Sequence, residues 1–239
     1  MRRLLALHPF FARGAVWSPL DRVLGTVELI APDLPGHGDA PEGVEGDFMD
    51  AALARVMDVL PDAPVDVLGL SYGGALALRL LADHPERVRS LTVIEPVLFA
   101  AAAPEEMRRH WAEMDAFRAA LAQGDRAGAA AVFTGLWGDG TDWNDLPEPV
   151  RTAIVRRVHL IPLTEPGLVE DVHGILPRLP GGVPVTIVTR RDPSGIVAAI
   201  RDGLATRLSR VRHRTLGSHH QAALRQPADL ADILRENGI

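Results

Sequence analysis

Of the six serines in this 239-residue chain, Ser71 alone has a glycine two before and two after it, in Gly69-Leu70-Ser71-Tyr72-Gly73. A serine hydroxyl attacks well only when it stands clear of its neighbours, and a sharp strand-to-helix turn flanked by small residues achieves that. The same turn leaves unpaired backbone N–H groups at the start of the helix, which suit a developing oxyanion, and Tyr72 would supply one of them. A serine is a weak nucleophile by itself. It needs a base, usually histidine, and the base needs a carboxylate to orient it. Two later places offer these groups: Asp192, directly after Val183 to Thr189, and His219-His220, directly after Val211 to Leu216. Acid then histidine, each at the carboxyl end of a strand, is the order this chemistry takes on an open parallel sheet.

The elements that must position these groups are legible in the apolar pattern. Pro64-Val65-Asp66-Val67-Leu68 is a short strand-like run ahead of the turn, and Ala75 to Ala82 is a strong helix former that stops near His84-Pro85. Upstream, Arg3 to Leu7 and Val23 to Ile30 read as strands, each followed by a loop. Asp47 to Leu60 carries apolar residues at helical spacing up to Pro61. Downstream, Val88 to Val97 reads as a further strand. From about Leu98 to Arg178 the rhythm becomes helical, as in Pro104 to Ala122 and Pro149 to Leu160, with three of the four tryptophans and no strand pattern. Strands resume at Val183 to Thr189, then a helix around Ser194 to Arg207, a strand near Val211 to Leu216 and a last helix from about Gln221 to Glu236. Such alternation predicts an α/β fold, a mostly parallel sheet with helices on both faces, built from 1–97 and 179–239. The helical insertion over 98–178 interrupts it.

Composition removes whole classes of chemistry. There is no cysteine, which excludes disulfides, thiolate zinc sites, iron–sulfur clusters and a cysteine nucleophile. All 25 basic residues are arginine, so a lysine Schiff base is excluded as well. A net charge of −6 without long like-charge runs offers no stripe for nucleic acid and no polybasic membrane anchor. No apolar run approaches the roughly 18 residues of a membrane span. Met1 to Leu7 imitates a signal peptide until His8, Pro9 and Arg13 interrupt it, so a cytoplasmic first strand is expected. His110, His159 and His173 read as residues of the insertion, with no HxH or HxxxH pairing for a metal, and no cofactor is expected. His37 reads as a turn residue. A monomer or homodimer acting on a small molecule is the expectation.

Several further stretches match one family. They are Leu7-His8 followed by Trp17, Asp33-Leu34-Pro35-Gly36-His37-Gly38, Gly69 to Gly74, His84-Pro85-Glu86-Arg87-Val88 followed by Glu95-Pro96, and His220 seven residues before Pro227. With them the chain resembles the α/β-hydrolase superfamily over nearly its full length, the insertion standing where that family carries its cap. Members with an aspartate nucleophile are excluded by Ser71. The resemblance implies Ser71 as nucleophile, His220 as general base and then acid, and Asp192 as the orienting carboxylate. His219 is the alternative base, and Glu95 the alternative acid, its plainer role being a loop carboxylate paired with an arginine. Thr189 stands where the family's Gly-x-x-Asp has glycine.

The second oxyanion donor should come from the loop after the first strand. Pro9 occupies the family's usual glycine there and has no N–H, which leaves Phe10 or, as the alternative, Phe11. Trp111, Phe117, Phe133 and Trp137 are first of all cap core, and some should line the acyl pocket because the cap roofs the serine. The implied activity is hydrolysis of a small carboxylic ester, thioester or related acyl bond through an acyl-enzyme. A lyase, C–C hydrolase or perhydrolase on the same triad is the alternative, favoured if Arg13, Arg190, Arg191 or a cap arginine reaches the pocket. A non-enzymatic receptor for a small ligand is another.

Overall fold

The computed structural model describes residues 1–193 and 195–239. Six strands, β1 (Arg2–Leu7), β2 (Val27–Ile30), β3 (Val65–Leu70), β4 (Val88–Ile94), β5 (Val185–Thr189) and β6 (Val211–Thr215), form one sheet in the order β2-β1-β3-β4-β5-β6. Every neighbouring pair is parallel. Alternate side chains of a strand point to opposite faces, and that period sorts the core into two layers. Leu5, Leu7, Val65, Val67, Leu91, Val93, Val185 and Ile187 pack on one face. Leu4, Ala6, Leu68, Leu70, Ile94 and Val188 pack on the other.

Helices α1 (Ser18–Leu24), α2 (Phe48–Met57) and α3 (Tyr72–Asp83) precede β4 in the chain. α3 is buried at every residue from Tyr72 to Ala82, the mark of a helix enclosed on all sides. Val23 and Leu24 are the last turn of α1 and not the start of a strand: Pro19 opens that helix and Gly25, at φ +65°, closes it. Asp47 caps α2, its carboxylate accepting the Met49 and Asp50 N–H groups.

Between β4 and β5 the described chain is helical: α4 (Pro104–Glu113), α5 (Asp115–Ala122), α6 (Arg126–Trp137), α7 (Glu148–Arg157), α8 (Glu165–Val169) and α9 (Ile175–Arg178). The expected single helix over Pro104 to Ala122 turns at Met114 into α4 and α5. Ile175 and Leu168 join the main core, whereas Phe117, Ala129, Ala130, Ile154 and Val158 form a separate cluster.

The chain ends with α10 (Gly195–Ala205), α11 (Ala222–Arg225) and α12 (Pro227–Glu236). The expected α10 start at Ser194 lies outside the described residues, and the last helix is divided before Pro227, where the proline cannot continue α11. Beyond α12, Asn237 donates to Thr92 Oγ1 on β4 at 3.2 Å and accepts from Thr186 Oγ1 on β5 at 3.0 Å.

Candidate active site

Ser71 sits between β3 and α3 at φ +56°, ψ −118°, a conformation that costs an L-residue of order 1–3 kcal/mol and is held by its surroundings. Its N–H donates to Ile94 O at 2.9 Å, and its carbonyl accepts from Gly74 at 2.9 Å and Ala75 at 3.1 Å. The flanking glycines are needed for space: a Cβ on Gly69 would lie 2.3 Å from Gly73 O, and one on Gly73 would lie 2.3 Å from Leu7 O. The turn is therefore clamped between β1 and β4. As the first residue of α3, Tyr72 presents an N–H that no carbonyl of its own helix can accept.

The loop after β1 is braced by two buried histidines. His8 Nε2 accepts the Leu34 N–H at 3.0 Å, which leaves the proton on Nδ1 to donate to Pro9 O at 2.9 Å. His37 Nε2 accepts the Phe11 N–H at 3.1 Å and its Nδ1 donates to Pro35 O at 2.8 Å. Burial lowers both, each to about 4, so both are neutral near pH 7. His37 is thus a turn residue with a defined task. Because it consumes the Phe11 N–H, Phe11 has no N–H left to offer, while the Phe10 N–H has no protein partner among the described residues. The positive φ of this loop falls on Phe11, at +66°, a value the proline at position 9 could not adopt.

The carboxylate that meets His220 is Glu95, at the end of β4. Its Oε2 lies 2.6 Å from His220 Nδ1, with the two side chains 1% and 4% exposed. Asp192, expected here, does not reach the imidazole: it stands in the turn after β5 at φ +51°, exposed. Arg190, two residues earlier in the same turn, reaches Glu95 instead. It forks onto Glu95 through Nε to Oε1 at 2.9 Å and Nη2 to Oε2 at 2.8 Å, and its backbone N–H donates to Oε1 at 2.8 Å. Burial by itself would raise the Glu95 carboxyl, but hydrogen bonds from His220 and Arg190 more than offset it, leaving it at about 2. Glu95 therefore meets both His220 and Arg190. His219 is partly exposed and its Nδ1 has no partner, so of the two adjacent histidines only His220 meets the carboxylate.

Among the described residues, four of the five non-glycine residues at positive φ, namely Phe11, Ser71, Glu95 and Asp192, lie just beyond the carboxyl ends of β1, β3, β4 and β5. Backbone strain of this kind concentrates where function is built.

Over Ser71 and Tyr72 lies an apolar cavity. Trp111, Phe133 and Trp137 line it, as do Phe10, Val97, Phe99, Met114, Ile161 and Leu168. Phe117 does not: it is fully buried behind the cavity among Met114, Ala129 and Val158, because its place on α5 faces α6 rather than the sheet. The Trp137 ring meets the His220 ring edge-on at a centroid distance of 5.0 Å. No arginine lines this cavity among the described residues. Elsewhere, Asp47, Asp50 and His173 approach one another within 4.8 Å, but Asp47 caps α2 and Asp50 is paired with Arg79 at 2.8 Å.

The signal for Glu95 in the sequence was its place after an apolar strand and before Pro96. Nothing there marked Arg190 as its partner.

Ser71 thus stands on a strained strand-to-helix turn after β3, with the buried His220–Glu95 pair at the ends of β6 and β4 and an apolar cavity over the serine. Residues 2–137 match the family model described as the alpha/beta hydrolase fold, and the chain belongs to that family. Among curated relatives, Lipase LipV of Mycobacterium tuberculosis is 33% identical over 141 residues, 57% of this chain and 52% of that protein. A pimeloyl-[acyl-carrier protein] methyl ester esterase of Neisseria meningitidis is 41% identical over 92 residues, 38% of this chain and 29% of that protein. The chain thus matches about half or less of those relatives' lengths. Among solved structures, an alpha/beta hydrolase from Sphaerobacter thermophilus superposes with a TM-score of 0.73 at 19% identity, over 100% of this chain and 93% of that one. No helix is long and apolar enough to cross a membrane among the described residues.

Proposed function

We propose that the chain is a serine hydrolase of small carboxylic esters or thioesters with an apolar acyl or alkyl group, working through an acyl-enzyme. The observation that carries this reading is the buried 2.6 Å contact between His220 Nδ1 and Glu95, beside the cavity that Ser71 lines. An imidazole so held keeps Nε2 free to act as base. In the first half-reaction Ser71 Oγ bonds to the substrate carbonyl carbon and its proton passes to His220 Nε2. The carbonyl oxygen, now an oxyanion, accepts hydrogen bonds from the Phe10 and Tyr72 N–H groups. The tetrahedral intermediate collapses, the bond to the leaving group breaks, and His220 protonates the departing alkoxide or thiolate. Water then repeats the sequence on the acyl-serine and releases the acid.

The helices of 98–178 act as the cap, with Trp111, Phe133 and Trp137 against the apolar part of the substrate. Arg190 is spent on Glu95 and no arginine faces the described cavity, which favours an uncharged acyl group over an anionic one. Both relatives are named for ester cleavage, which agrees with this reading.

The test is hydrolysis of a series of p-nitrophenyl esters by wild type and Ser71→Ala, with fluorophosphonate labelling of both. Stoichiometric labelling of Ser71 and turnover abolished in a folded Ser71→Ala support the proposal. A folded wild type that takes no label, or a Ser71→Ala variant as active as wild type, overturns it.

A further inference from the structure

We propose that Arg190 is a positioning residue of this active site, its guanidinium fork and its own N–H fixing the Glu95 carboxylate so that Oε2 is held toward His220. The inference rests on the triad reading above. Two carboxylate oxygens offer about four lone-pair directions, and here four donors fill them: three from Arg190 and one from His220. A carboxylate with its other acceptor sites occupied cannot swing away from the imidazole, and a bidentate arginine fixes its plane as well as its charge.

The neighbouring strand ends show how the arrangement arose in space. β5 lies beside β4, and the turn after β5 that holds Asp192 also sends Arg190 across to Glu95, so the carboxylate that meets His220 stands one strand nearer to Ser71. Arg190 supplies the counter-charge that makes a buried glutamate at the end of β4 tolerable. Among the described residues, Glu95 at the end of β4 contacts His220, and Arg190 from the turn after β5 binds Glu95. The Trp137 ring of α6, itself against His110 of α4, meets His220 edge-on, and His219 adjoins it in the chain. Without Arg190, the site would hold an unbalanced negative charge next to the imidazole.

Charge and geometry separate with two substitutions, Arg190→Met and Arg190→Lys, in the full chain. Arg190→Met removes both. Its kcat should fall by about 10- to 100-fold, the cost of a small misplacement in a reacting constellation, with KM changed little. The acid limb of its kcat/KM profile should move to higher pH by about 1 unit, because an unopposed carboxylate favours the protonated imidazole. Arg190→Lys keeps a charge but cannot fork, so its acid limb stays near that of wild type while the kcat loss persists.

A second measurement does not depend on turnover: the proton shared by His220 Nδ1 and Glu95 should give a low-field NMR signal in wild type that broadens in both variants. Folded Arg190→Met with wild-type kcat, pH profile and NMR signal overturns the inference. If Ser71 proves not to be the nucleophile but the low-field signal still depends on Arg190, the functional reading has failed and the positioning role stands.

Discussion

Two sets of buried histidines lie at the carboxyl ends of the strands, and they are used in opposite ways. In the loop after β1, His8 and His37 each bind a backbone N–H with one nitrogen and a backbone carbonyl with the other. Such partners fit only the neutral tautomer, and both rings act as struts. Between β4 and β6, His220 meets an ionised carboxylate, which can stabilise either protonation state of the ring during a reaction cycle. Burial is nearly the same in the three cases, at 0%, 2% and 4% exposure, so what separates the two settings is the partner.

The largest effect that would break this contrast is Glu95→Gln. The amide can keep a hydrogen bond to His220 but not the charge, and the wrong tautomer should cost about 10³- to 10⁴-fold in kcat, read by steady-state kinetics on a p-nitrophenyl ester. It also leaves the Arg190 guanidinium without its counter-charge, so a lower urea midpoint is expected alongside.

His37→Ala is next. It removes a strut and leaves the Phe11 N–H unpaired, at a cost of about 1–3 kcal/mol in stability by urea denaturation. The loop that carries the Phe10 N–H then loses its brace, and kcat should drop by about tenfold, less than the roughly 10²- to 10³-fold that follows outright removal of an oxyanion donor.

The pH dependence of folding sharpens the same contrast. The folded chain holds His8 and His37 at about 4 against an ordinary 6.5, so as the pH falls below 6.5 the unfolded chain takes up protons that the folded chain refuses. Their contribution to stability is complete above 6.5 and is lost as the pH falls toward 4, by roughly 3 kcal/mol for each ring. Glu95 adds its own loss lower down, beginning below 4.5 and continuing toward about 2. Urea midpoints at a series of pH values should show the first decline in wild type and a shallower one in His37→Ala.

The smallest effect is Asp192→Asn. Asparagine tolerates the positive φ at this site and no imidazole depends on the carboxylate, so kcat within about twofold of wild type is expected. A loss comparable to that of Glu95→Gln would return the acid to β5.

What was legible in the sequence followed from local demands. Gly69 and Gly73 are required by atoms a few residues away and by the adjoining strand, and the motif therefore carries its own explanation. The parallel sheet was legible because both of its faces are covered and its strands read as apolar runs.

The acid was harder, since chain order admits Glu95 and Asp192 alike. What decides between them is the lateral order of β3, β4, β5 and β6 and the direction in which a strained residue sends its side chain. Neither is encoded in a five-residue window. Phe117 misled for a related reason: an aromatic residue on an insertion helix can face the pocket or the helix beside it, and the spacing is the same in both cases. Val23 and Leu24 look like a strand only until Pro19 and Gly25 are read as the two ends of a short helix.

The Asn237 bridge between Thr92 and Thr186 has a practical side. β4 and β5 are the two rails that bring Glu95 and Arg190 side by side, and Asn237 helps pin their gauge at Thr92 and Thr186, which are paired in register. A reporter fused after Ile239, or immobilisation through the last turn, would pull on that gauge. Attachment through an exposed site on the insertion, such as Val150 on α7, would leave the rails alone.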